Sequence, residues 1–219
     1  MVYVVSVPAG ALVSIDGGTA SKTTPFTTDS LTAANHTFKF VFSDYTTTLT
    51  QTVSSKKIDT LTFSMLTSFS TTSIYETAAT GATQYSGLIL KTGMTVGFSD
   101  IANKGAMDLF FKKTPDYDLE SPALAVDTAL LRKTFFKTAT GTNLADGVSS
   151  PVYDATPGVW SNFLSNIATM DTAHYFWIYD NDHNYTKAKV AEYHARTSTS
   201  DPAYVKLKYY YNSKGSKLF

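Results

Sequence analysis

The residues of this chain that can do chemistry are few, and the four histidines, His36, His174, His183 and His194, come first. None belongs to an H-E-x-x-H pair, and neither a D-x-D-x-D-G loop nor a G-x-S-x-G elbow is present. Cysteine is absent, which excludes disulfides, thiol nucleophiles and cysteine-based metal sites. Carboxylates gather in two places. Asp180 and Asp182 bracket Asn181 in "YDNDHN", as at the start of a calcium loop. The glycine at the sharp turn and the downstream glutamate are missing, so a polar hairpin tip is expected. Asp116, Asp118 and Glu120 recur at period two in "TPDYDLE" and read as a solvated acidic loop, with a weak cation site as the alternative. Tyr175, Trp177 and Tyr179 share one strand face, and Tyr209 to Tyr211 follow on a later strand. Exposed aromatic rows stack on sugar rings or on a flat ligand. Tyr175, Trp177, Tyr179 and Tyr209 are therefore the candidate ligand-binding residues; burial in a core or a domain contact is the competing reading. No catalytic residue, metal ligand set or cofactor is expected. Asn35 and Asn184 satisfy the glycosylation sequon and read as turn residues.

These side chains must be held by sheets. The 219 residues suffice for one domain or two, and the chain is rich in Thr, Val, Tyr and Phe, which favour pleated, half-buried surfaces. Lys plus Arg equals Asp plus Glu, so no overall field attracts nucleic acid. No apolar run reaches the ~20 residues of a membrane helix. Met1 is followed directly by the strand-like "VYVVSV", so the chain reads as a mature or excised fragment whose targeting segment has been removed.

From the start to about residue 66 every segment has period two. "NHTFKFVF" puts His36, Phe38, Phe40 and Phe42 on one face and Thr37, Lys39 and Val41 on the other. Asp16-Gly17 is a turn signal because the favoured hairpin turn needs positive φ at both central positions. Gly17-Gly18 is read as a bend, since no G-x-G-x-x-G pattern or helix start follows to receive a phosphate. The polar, aperiodic "TSFSTTS", residues 67–73, reads as a linker. Residues 74–219 are again strand-rich. Only "GVWSNFLSNI", residues 158–167, has helical spacing, with Trp160, Phe163, Leu164 and Ile167 on one side. The expected fold is mainly β: two antiparallel β domains in series, the second with one short helix.

With "SVPAGALVSIDG" followed by "KTTPF", the first 66 residues resemble a PEGA domain, a small extracytoplasmic β-sandwich. Pro8, Gly10 and Ala11 fit its P-x-G-A segment, with Ala9 in place of the usual Glu or Ser. Val13, Ile15, Asp16 and Gly17 fit its V-x-I-D-G strand and turn, and Lys22, Thr23 and Pro25 fit K-T-P with one inserted Thr. Residues 80 to 212 are similar to haemophore-like β-domains of bacterial surface lipoproteins at Asp108, Ser121-Pro122, Tyr185, Lys187, Ala188 and Lys189. The second likeness implies a curved antiparallel sheet and, in some members, haem capture.

The expected function is that of a non-enzymatic extracellular or cell-surface structural or interaction protein. Its partners would be other surface proteins or glycans, or further copies of itself. The alternative is a surface protein that captures haem or glycan. A hydrolase with an unrecognised site is a third class. For haem, a tight register pairing Asp180 with Tyr185 sets His174 opposite Ala191. His194, three positions on, then faces the other side of the sheet, so the two imidazoles are not expected to clamp one iron. A single axial ligand such as Met107 or Met170 stays open.

Overall fold

The computed structural model describes residues 1–55, 57–79, 81–113, 117–125, 132–167 and 172–219. They form two compact units, Met1–Leu66 with Leu218, and Thr67–Lys217 with Phe219. The protein is mainly β.

The first unit runs β1 (Val2–Val7), β2 (Leu12–Ile15), β3 (Lys22–Thr23), β4 (Phe26–Thr28), β5 (Asn35–Val41), β6 (Thr46–Thr52) and β7 (Asp59–Ser64). They make two sheets, of order β4-β1-β7 and β3-β2-β5-β6. Alternation along β5 is as regular as the sequence suggests: His36, Phe38 and Phe40 are buried while Thr37 and Lys39 are exposed. Phe38 and Phe40 meet Val2, Val4, Val13, Leu61 and Phe63 in one core. One pairing departs from the expected antiparallel plan. β1 and β7 run parallel over six residue pairs, from Val2 opposite Asp59 to Val7 opposite Ser64.

The second unit runs β8 (Leu66–Ser70), β9 (Ile74–Tyr75), β10 (Gly87–Ile89), β11 (Met94–Val96), α1 (Ile101–Lys104), β12 (Leu109–Lys112), β13 (Asp118–Glu120), β14 (Phe135–Thr138), β15 (Phe163–Leu164), β16 (Phe176–Tyr179), β17 (Tyr185–His194) and β18 (Tyr204–Asn212). One sheet has the order β11-β10-β12-β13-β15; the other is β14-β16-β17-β18-β8, with β9 also on β18. Leu88, Leu109, Phe111 and Leu119 of the first sheet face Phe176, Ile178, Val190, Leu207, Tyr209 and Tyr211 of the second.

Two expectations are corrected. Residues 67–73 are not an unpaired linker. β8 lies at the edge of the six-stranded sheet, Phe69 packs on Tyr209 with ring centroids 5.0 Å apart, and the Thr71 amide donates to the Leu207 carbonyl. Nor do residues 158–167 form a helix. Gly158 and Asn166 take positive φ, Phe136 and Ser161 form a bridge, and Phe163–Leu164 is a strand. Trp160, Leu164 and Ile167 are buried, but Phe163 is exposed, so no single apolar face exists for a helix to bury. Among the described residues the α-helix of this unit is instead α1, begun by Asp100, whose carboxylate accepts from the Ala102 amide.

Candidate functional site

The aromatic row stands on β16 and the residue before it. Within the strand, Phe176 and Ile178 point into the core shared by the two sheets. The pleat therefore turns Trp177 and Tyr179 to the opposite, outer face. Cross-strand partners extend that face: Phe135 pairs with Tyr179 and Lys137 with Trp177 on one side, Lys187 with Trp177 and Tyr185 with Tyr179 on the other. A strand with large apolar groups on both faces must be covered on both, and here the cover comes from the 139–161 segment and the chain end. Tyr153 stacks on Tyr179 at 4.3 Å and tilts against Phe135 at 4.8 Å. Trp160 meets Tyr153 edge-on at 5.8 Å, and Phe219 meets Trp177 at 5.2 Å. Tyr175 and Trp177 are consequently buried and Tyr179 half-buried. Tyr209, the fourth candidate, is fully buried on the inner face, where its hydroxyl donates to the Leu90 carbonyl at 2.8 Å. The structure thus brings three of the four together and sends Tyr209 through the sheet.

At the centre of the outer face lies a charge. The Lys187 side chain is wholly removed from solvent, and its ammonium contacts Asp146 Oδ1. Nζ also sits over the Tyr175 ring, 4.2 Å from the centroid, and 5.2 Å from that of Trp177. Burial lowers the Lys187 pKa, with the Asp146 hydrogen bond and charge opposing the shift. On Asp146 burial acts upward, but the Lys187 hydrogen bond and the Val148 amide outweigh it and hold the carboxyl below its ordinary value. Asp146, Tyr153 and Trp160 were not among the candidates. Asp146 and Tyr153 lie where the sequence has no periodicity and Asp146-Gly147 signals only a turn, while Trp160 reads as part of a helical stripe.

The carboxylates near the hairpin tip are also taken. Asp180 Oδ1 accepts from the amides of Asp182 and Asn184, both at 2.9 Å, while Oδ2 accepts from the Tyr211 hydroxyl at 3.1 Å. Arg132 bridges Asp182 and the buried Asp108, whose pKa burial pushes up to about 6 against the pull of the guanidinium. This tip is a self-capped turn, the polar reading of "YDNDHN". Asp118 and Glu120 lie on β13 and not on a loop, and Glu120 is paired with Lys112 at 2.8 Å. Glu120 Oε2 is buried without a hydrogen-bond partner among the described residues. Glu120 and Lys112 border a depression of about 380 Å³ with Phe98, Phe110 and Leu124 on its walls. Asp116 and Met170 lie outside the described residues.

The hairpin register differs from the one used to place the histidines. Tyr179 pairs with Tyr185 and Phe176 with Ala188, so three residues, Asn181 to His183, close the turn, with His183 at φ 64°. The ladder stops at Phe176, short of His174, and a bulge between Val190 and Glu192 shifts the phase of β17 before His194. No regular ladder therefore relates the faces of His174 and His194. His194 donates to Asp201 and stacks on Tyr204, His183 shares a 2.6 Å hydrogen bond with the Tyr179 hydroxyl, and Met107 is buried in a small cluster with Val96 and Phe110. Among the described residues no group of three or more His, Asp or Glu side chains is arranged to hold a metal ion. No helix among them is long and apolar enough to cross a membrane.

In the first unit, Ile15 to Gly18 close a turn whose central residues, Asp16 at φ 51° and Gly17 at φ 75°, both take the left-handed region. Asp16 then reaches β5: its carboxylate accepts from the Thr37 amide at 2.8 Å and from His36 Nδ1 at 2.6 Å. The glycines make a bend, and the aspartate beside them ties strands together.

No curated protein matches the chain. The haemophore-like resemblance of residues 80 to 212 finds no support in the family comparison, which reaches only the first unit. There the agreement is direct, because the parts that carried the resemblance (the Pro8–Ala11 segment, the Asp16-Gly17 turn and the strands that follow) lie within the matched span: residues 1–67 match the family model of the PEGA domain.

Proposed function

We propose that this is a non-enzymatic protein of the cell exterior, a structural or interaction protein in which a PEGA module is followed in the chain by a larger β unit. Its partners would be other surface proteins, glycans or further copies of itself. The observation that carries this reading is the occupied aromatic face. The rings that a sugar or a flat ligand would need are stacked on Tyr153, Phe219 and the Lys187 ammonium of the protein itself. They act as the second core of the six-stranded sheet. Trp177→Ala should then cost about 3 kcal/mol in denaturant unfolding, as for a large buried aromatic, while haem titration and a glycan array give no saturable binding by the wild type. Saturable binding of either ligand that Tyr179→Ala abolishes, with the fold intact, would overturn the reading.

Ligand capture is the second reading, and the depression beside Glu120 favours it. An apolar wall with the Lys112–Glu120 pair at its edge suits a ligand with a polar group on an apolar body. Glu120→Gln would then weaken whichever ligand the titration or the array detects.

A further inference from the structure

Lys187 and Asp146 are 41 residues apart in sequence and in contact in the structure. The amine is buried, walled by two aromatic rings, and desolvation favours its neutral, nucleophilic form. The carboxyl group it meets is already polarised, because the Val148 amide donates to Oδ1 at 2.9 Å, and the Tyr175 ring lies against the same ammonium. Tyr175 owes its place to Gly141, where a Cβ would fall 2.2 Å from the ring. The buried amine, the carboxyl carbon and the Val148 donor therefore meet at the rim of the aromatic face.

We propose that Lys187 Nζ and Asp146 Cγ condense to an intramolecular amide, a covalent cross-link in a chain that has no cysteine. One proton passes from the ammonium to the carboxylate, and the freed lone pair attacks Cγ. The C–Nζ bond forms and one C–O bond breaks. The departing oxygen takes this proton and a second one from nitrogen and leaves as water. Charge and atoms balance without oxidant, reductant or cofactor. The Val148 amide stabilises the negative oxygen of the tetrahedral intermediate and is not consumed. The product is neutral, so it removes the cost of holding an ammonium out of water.

The test is the intact mass of the full chain under denaturing conditions, followed by a peptide map. The wild type should be lighter than its sequence mass by one water, about 18 Da, and should yield a branched peptide joining the segments that hold Lys187 and Asp146. Lys187→Met and Asp146→Ala should each return to the sequence mass. Asp146-Gly147 can also lose water by closing on its own backbone, but that loss survives in Lys187→Met and gives no branched peptide. A wild type at its full sequence mass, or a water loss that Lys187→Met retains, would overturn the proposal. Should a variant fail to fold, the wild-type map alone decides between branched and linear peptides.

Discussion

His36 donates from both ring nitrogens, Nδ1 to Asp16 and Nε2 to the Thr32 carbonyl at 2.9 Å, so the imidazolium is the form its surroundings accept. Its pKa is raised above the ordinary 6.5, first by the Asp16 hydrogen bond. That of Asp16 is lowered below 3.8, first by the Thr37 amide and then by His36. The signs fix a window. The stabilisation from His36 is complete below 6.5 and is lost as pH rises through the elevated folded value. That from Asp16 is complete above 3.8 and is lost as pH falls through the depressed one. The melting temperature of the first unit should therefore peak near about pH 5 and decline toward pH 8, and His36→Asn should flatten the alkaline decline. An unchanged slope in that variant would show the pair to be uncoupled from folding. The adjoining glycines separate equally sharply. Gly17 at φ 75° should lose about 1 kcal/mol or more on replacement by Val. Gly18 lacks positive φ and meets only the Ile15 carbonyl at 3.1 Å, so it should lose less in the same denaturation series.

At the scale of elements, legibility followed how many faces a segment buries. β5 buries one face, and its alternation in sequence is its alternation in space. β16 buries two. From sequence, Tyr175, Trp177 and Tyr179 look the same whether they await a ligand or a covering loop, and the cover around Tyr153 has no period to announce it. The segment 158–167 misleads for a related reason. Trp160 packs on the outer face and Leu164 and Ile167 in the inner core, so their helical spacing records two destinations and not one stripe. Polar composition hid β8 as well, since Phe69 alone marks it as an edge strand. The fit of the outer cover is open to a direct check. Gly141→Ala would drive a methyl into the Tyr175 ring and should destabilise the second unit by about 1–3 kcal/mol, as overpacking does, measured by denaturant unfolding. A neutral result would show that the cover shifts without cost.

For the whole molecule, two units with separate cores should give two calorimetric transitions. His36→Asn should flatten only the transition of the first unit, while that of the second should fall as pH rises through the Asp108 value of about 6. A single transition shifting as a whole would show that the cores melt as one. The parallel pairing of β1 and β7 has a further consequence, a mechanical one. When tension pulls the start of β1 one way and the end of β7 the other, the two strands slide past each other along their length. All six paired positions, from Val2 with Asp59 to Val7 with Ser64, then bear the load together in shear. Antiparallel terminal strands pulled in this way would peel apart one bond at a time. A module so connected yields late under force, a property suited to a part that must hold its place in a chain under strain.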